Sequence, residues 1–141
     1  MTRGTVSGLV VMAAMLTAVN IVHAQTPVVP AGSGTSGDPY QISQLGHLVW
    51  MGDNVSSSSG KYYTVQNDID ASATAGWNAG AGFSPIGTNM YDAMYSFAGV
   101  FNGNRKVISN LSINRPNQNC AGLFGYVHHV GTVKDLGVAG G

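Results

Sequence analysis

The sequence contains no glutamate: all six of its acidic residues are aspartates, balanced by six lysines and arginines for a formal net charge of zero. Without Glu there can be no H-E-x-x-H zinc-peptidase helix. Long solvated helices, whose exposed faces lean on Glu and Lys, are disfavoured as well. Charged residues make up only 9% of the 141 positions, against about 25% in an average globular chain. So neutral a chain offers no basic patch for nucleic acid or for an anionic membrane surface. The single cysteine, Cys120, excludes an internal disulfide and says nothing about redox compartment. The longest apolar run, Gly8 to Val19, is too short to span a bilayer comfortably.

What the chain has in quantity is turn chemistry. It carries 20 glycines, and asparagine and serine add to the turn-forming set. That composition reads as strands and turns.

Residues 1–24 read as a signal peptide. Arg3 supplies the positive start, Gly8–Val19 the apolar stretch, and Val22-His23-Ala24 a small-x-small cleavage site ahead of Gln25. Residues 25–37, rich in Pro, Gly and Ser, read as a flexible linker. Residues 38–141 form the expected folded domain, of a length suited to a single core. Within it, Ser43–Met51 is the one convincing helix. Ser43 is its expected N-cap, and Leu45, Leu48 and Val49 form its apolar stripe. Tyr62–Ile69, rich in β-branched and aromatic residues, reads as a strand.

The second half carries a recurrence. Ile108-x-x-Leu111-x-Ile113 returns as Val133-x-x-Leu136-x-Val138, and the interval from Ile108 to Val133 is also that from Phe101 to Tyr126 and from Asn110 to Asp135. A fixed period of this size implies stacked repeats. The expectation is an all-β fold, a parallel β-helix (solenoid) of about three rungs with a short N-terminal capping helix. Ile108, Leu111 and Ile113 would then lie directly beneath Val133, Leu136 and Val138, and Asn110 would stack on Asp135.

Gly122-Leu123-Phe124-Gly125 resembles the GLUG motif, a Gly-Leu-large-apolar-Gly repeat. Val133–Val138 is similar to that repeat's second strand, and Phe97–Asn104 with Val107–Leu111 to the segment before it. Gly37–Ser43 and Asn67–Asp70 resemble the N-terminal region of such proteins. The resemblance covers most of residues 37–138. It implies a β-helical repeat in an exported bacterial protein, of the kind found in adhesin-like proteins and IgA-specific metallopeptidases. It does not imply catalysis. The chain departs from the family in holding one GLUG copy where arrays are usual.

No residue is assigned a catalytic, cofactor-binding or metal-binding role. Asn67, Asp68 and Asp70 gather oxygen ligands that could serve Ca²⁺, but calcium wants 6–8 oxygens, and such side chains more commonly cap turn amides. His128 and His129, if on a strand, would point to opposite faces and not converge on a metal. Cys120 has no neighbouring base in sequence to activate it. Tyr40, Trp50, Tyr62, Tyr63, Tyr91 and Tyr95 are either a sugar-stacking platform or core.

These readings combine into an expected exported, non-enzymatic module, secreted or at the cell surface, serving adhesion, binding or structure. Its partners would be an extracellular protein or a glycan, together with further rungs or self-association at the C-terminal edge. No cofactor, nucleic acid or transmembrane segment after leader cleavage is expected. The alternative is the N-terminal part of a larger secreted peptidase or polysaccharide-degrading enzyme whose catalytic region lies elsewhere.

Overall fold

The computed structural model describes residues 25–140, so the leader assigned to 1–24 lies outside the described residues. Five strands form one sheet: β1 (Tyr40–Ile42), β2 (Tyr62–Val65), β3 (Ile69–Asp70), β4 (Val100–Leu111) and β5 (Thr132–Gly140). Every pairing is parallel. The long strand β4 organises the sheet. Along one edge it takes β2 against Val100–Asn102 and β3 against Ile108–Ser109; along the other it takes β5. β1 completes the sheet beyond β2.

Period-two alternation explains which side is buried. Tyr40, Tyr63, Phe101 and Val133 align across β1, β2, β4 and β5. Tyr63 and Phe101 are in the core, as are Ile42 and Val65 two positions along. An unbroken chain of ring contacts runs through this core: Trp50–Tyr40, Tyr40–Tyr63, Tyr63–Phe97, Phe97–Phe124 and Phe124–Phe101, with centroids 5.0–5.5 Å apart. Tilted and edge-on pairs at that range add attraction beyond area burial.

The single α-helix, α1 (Leu45–Asp53), buries His47, Leu48, Val49 and Met51. It begins later than expected. Gln44, not Ser43, holds the N-cap position and makes no side-chain cap bond. Instead the third helical residue, His47, reaches back, and its Nδ1 accepts the Ser43 N–H at 3.0 Å. The bond resembles the return arm of a capping box but is supplied by imidazole, and it reaches one residue further back, to the position before the N-cap.

The all-β parallel β-helix of about three rungs is corrected by this architecture. Residues 25–140 form one open parallel sheet with two edges, plus a helix and several 3-10 turns: a mixed helix/strand domain. The connections 71–99 and 112–131 contribute only isolated bridges, such as Ile86 with Phe124 and Phe97 with Val127. Their Gly, Asn and Pro content favours turns, so they build no further sheet faces of the kind a closed coil requires.

The constant-interval register is corrected too. Aligned positions are unequally spaced along the chain: Tyr40 to Tyr63 is the shortest interval, Tyr63 to Phe101 the longest, and Phe101 to Val133 falls between them. Ile108 sits beside Val138, not Val133, and Leu136 beside Lys106, not Leu111. Asn110 does not stack on Asp135. Both residues adopt left-handed backbone, at φ 58° and 54°, but Asp135 lies opposite the Asn104–Arg105 bend of β4. The recurrence thus marks two copies of one local device, an Asn/Asp bend followed by Leu, placed on different rows. At the β4 bend the β5 backbone comes so close that a Cβ on Gly103 would sit 2.5 Å from the Asp135 carbonyl oxygen.

Segment 25–37, expected as a flexible linker, is bonded to the domain at several points. The Gln25 side-chain carbonyl accepts Ser84 N–H at 3.0 Å, and Val28 N–H donates to Gly46 O at 2.9 Å. Ala31 bridges Gln41 in antiparallel fashion, and Gly34 O accepts Tyr62 N–H. The segment therefore meets the outer edge of β1 at Ala31 and otherwise bonds to residue 84, α1 and the start of β2.

Candidate binding surface

Alternation that buries one face of the sheet exposes the other. Gln41, Thr64, Asn102 and Lys134 align across β1, β2, β4 and β5, each directly following one of the aligned residues Tyr40, Tyr63, Phe101 and Val133. The neighbouring row, Tyr62–Val100–Thr132, occupies the same outer face. Strands lie about 4.8 Å apart, so these side chains stand as close neighbours across the sheet. A groove of about 170 Å³ opens on it, lined by Ser36 and Pro39 as well as Tyr62, Thr64, Val100, Asn102 and Lys134. Tyr62 is 37% exposed. Asn102 commits its Oδ1 to Asn104 N–H at 2.9 Å, which leaves its amide N–H₂ uncommitted. Beneath the groove the Tyr63 hydroxyl has its pKa raised, first by burial and then by the nearby Tyr40.

A second, larger cleft of about 500 Å³ lies between the 55–59 turn and residues 94–130, walled by Val55, Ser56, Ser58, Met94, His128 and Val130. The His128 and His129 rings stand 4.1 Å apart, because these residues lie at a turn and not in a strand. The opposite-face geometry, expected of them only on a strand, does not apply at this turn. His128 Nδ1 is buried without a hydrogen-bond partner. Ser58, fully buried, is already committed: its hydroxyl donates to Val55 O at 2.6 Å and accepts Ala98 N–H at 3.0 Å.

The oxygen cluster at 67–70 serves the backbone. Asp68 Oδ1 accepts Val107 N–H at 2.9 Å, and Asp70 Oδ1 accepts Ser72 N–H at 3.0 Å and the Asn110 side-chain N–H at 3.1 Å. The Asn67 side-chain N–H₂ donates to Ser43 O and Asp68 O. The Asn110 bond, followed by those from Ser72, holds the Asp70 carboxyl below the usual carboxylate range. These bonds tie the corner before β3 to β4. Among the described residues no group of three or more His, Cys, Asp or Glu could hold a metal ion. Cys120 is a half-buried free thiol at a left-handed turn, φ 63°.

The six aromatics do not form one platform. Tyr40, Trp50 and Tyr63 join the core ring chain, Tyr62 faces outward, and Tyr91 and Tyr95 are exposed on the 88–95 loop. In the GLUG-like segment Leu123 is buried, and Ile86 N–H donates to Leu123 O while Gly125 N–H donates to Ile86 O. A side chain at Gly125 would collide with the Gly87 carbonyl. The outer row Gln41–Thr64–Asn102–Lys134 escaped sequence reasoning because it depends on register. Its only sequence signal is a polar residue after each residue of the aligned row, in Tyr40-Gln41, Tyr63-Thr64, Phe101-Asn102 and Val133-Lys134.

Fold and surface together define a parallel-sheet domain with a polar, solvent-facing sheet. The chain is 42% identical over 107 residues to halomucin of Haloquadratum walsbyi, covering 74% of this chain. It is 37% identical over 120 residues, 84% of the chain, to a protein of Evansella cellulosilytica whose name describes it as a Gly-rich membrane protein. The chain spans about 1% and 13% of the lengths of these two relatives. No family model matches the chain, and no solved structure matches it. Among the described residues no helix is long and apolar enough to cross a membrane.

Proposed function

We propose that the chain is an exported, non-enzymatic module that works at the cell surface or in secreted form, in adhesion, binding or envelope structure. The observation that carries this reading is the outer sheet face. Four strands set Gln41, Thr64, Asn102 and Lys134 side by side, in register, with the packed aromatic core beneath β1, β2 and β4. A rigid array of this kind presents ligand-facing groups at little ordering cost. Support comes also from the leader-like residues 1–24, from the GLUG-like Gly122–Gly125, and from the names of the two relatives, one of which describes a membrane protein.

A second reading is favoured by one observation. Because the chain spans so little of either relative's length, it also fits as one part of a much larger secreted protein, including an enzyme whose catalytic region lies elsewhere.

Expression in a bacterial host, fractionation and intact mass measurement test the export reading. The expected outcome is a protein beginning at Gln25 that is released or is accessible to protease on intact cells. Cytoplasmic retention of a chain still carrying Met1 to Ala24 would overturn it.

A further inference from the structure

The groove on the outer sheet face combines four features that point to one class of ligand. Tyr62 presents an exposed aromatic ring at the surface of β2. One alternation further along the sheet, Thr64, Asn102 and Lys134 follow in strand order, giving a hydroxyl, an amide N–H₂ and an ammonium. Apart from the Asn102 bond to Asn104, none of these side chains has a hydrogen-bond partner among the described residues, nor does that of Ser36 at the rim. Finally, Lys134 is the sole charged residue of the lining, and no carboxylate faces it there.

We infer that this groove is a subsite for a uronic-acid unit of an acidic polysaccharide. The Tyr62 ring would stack on the apolar C–H face of the sugar. The Asn102 amide and the Thr64 and Ser36 hydroxyls would meet its hydroxyl groups, and Lys134 would pair with its carboxylate.

Spacing agrees with this assignment. Neighbouring strands are about 4.8 Å apart and same-face residues along a strand about 6.7 Å apart, so the backbones of Tyr62 and Lys134, two strands and one alternation apart, are separated by roughly 12 Å, a span that a pyranose ring and an extended lysine side chain fill together. The volume agrees as well. At about 170 Å³ the groove is well short of the ~300–1,000 Å³ of pockets that envelop a small molecule. It suits one residue of a polymer lying across the sheet. An unopposed cation selects an acidic over a neutral sugar, since ammonium–carboxylate hydrogen bonds are stronger than neutral ones.

The larger cleft beside His128 offers no comparable set. Its walls are chiefly apolar, and Ser58 is spent on the backbone.

This inference rests on the binding role proposed above, but its test is separable from the export experiment, because it reads the groove in purified protein. The ¹⁵N-labelled chain without its leader is titrated with tetragalacturonate and, in parallel, with the fully methyl-esterified tetramer, which keeps the rings and removes the charge. Amide shifts are expected to cluster at Tyr62, Thr64, Asn102 and Lys134 with the acid and to be largely absent with the ester. Lys134→Gln is expected to weaken binding about tenfold, in line with loss of one charge-assisted bond. Tyr62→Ala should remove stacking and weaken binding by a similar factor. Both residues are solvent-exposed, so an unchanged spectrum elsewhere confirms that each variant is folded. Raising the salt concentration should weaken the acid's binding by screening. Equal binding of acid and ester, shifts centred on the His128 cleft, or no shifts at millimolar tetramer would each overturn the assignment.

Discussion

At the β1 edge of the sheet, Ala31 O accepts the Gln41 N–H at 2.8 Å, the 25–37 segment continues to Gly34 and Tyr62, and α1 packs alongside with Leu48, Val49 and Met51 buried. At the β5 edge nothing among the described residues pairs with the strand's outer side; Val133 is 37% and Val138 50% exposed. The same parallel ladder thus ends closed on one side and open on the other. A covered edge cannot template another strand, whereas an open one with few charges can. Two features of β5 partly guard it: the adjacent charges of Lys134 and Asp135, and the left-handed bend at Asp135, which breaks the flat run of backbone groups. The difference teaches that this domain's stability is concentrated toward β1 and its capacity for association toward β5.

The sharpest way to break the comparison is to place the same charge at each end. Leu48→Asp buries an unpaired carboxylate at a position of 0% exposure and removes a core leucine. It should cost more than ~4 kcal/mol, enough to unfold a domain of ordinary stability. Val138→Asp, on an exposed position, should stay within ~0.5 kcal/mol. Urea denaturation of the two variants reads the contrast directly, and similar losses in both would refute it.

Uncovering the β1 edge should have a smaller effect. A Cβ on Gly46 would fall 2.5 Å from the Val28 Cγ2, so Gly46→Ala forces the 25–37 segment away from α1. Strain of ~1–3 kcal/mol is offset by ~1 kcal/mol of helix propensity, leaving a net loss of about 1 kcal/mol. Adding Val28→Gly should restore stability, because both the Val28 Cγ2 at 2.5 Å and its Cβ at 2.9 Å are then removed. If the double variant is no more stable than Gly46→Ala, the segment does not cover that edge.

At the other end, sedimentation should show the leaderless chain associating as its concentration rises, and Val138→Lys should suppress this with stability unchanged. A wild-type monomer at every concentration would mean that the Asp135 bend suffices as a guard.

The smallest expected contrast is in pH. Burial lowers the pKa of His47 below its usual 6.5, and its unprotonated Nδ1 holds the Ser43 N–H at the start of α1. A depressed folded-state value means that the unfolded chain binds the proton more readily. The stability His47 contributes is therefore full above about pH 6.5 and is lost as pH falls through the lowered value. Asp70 also has a depressed value, so its contribution, through Asn110 and Ser72, is present above the usual carboxyl pKa and is lost only in stronger acid. Melting curves between pH 7.5 and 5 should decline for the wild type and stay flatter for His47→Gln. An equal decline in both would sink the assignment to His47.

Much of this was written locally. The apolar stripe of α1 follows from side-chain periodicity, and the β-branched and aromatic content of Tyr62–Ile69 marks strand, although the structure breaks that stretch at residues 66–68 into β2 and β3. The bends at Asn110 and Asp135 were also legible, as residues that tolerate left-handed backbone within strand-forming stretches. Their recurrence at a fixed interval is a repeat of that bend chemistry.

Which strand lies beside which was decided only by the tertiary structure. Parallel strands are joined by long connections, and here those connections differ in length. The unequal intervals from Tyr40 to Tyr63, to Phe101 and to Val133 nonetheless bring these residues into one row. Backbone hydrogen bonding and burial of Tyr63 and Phe101 fix the register; loop length is absorbed outside the sheet. The outer row that makes the candidate surface is a by-product of that register. Gln41, Thr64, Asn102 and Lys134 are scattered through the folded chain and become neighbours because the residues before them align across the sheet. Composition and periodicity thus determined the kinds of element and the sites of bending. The placement of those elements depended on packing among residues far apart in the chain, which no local pattern encodes.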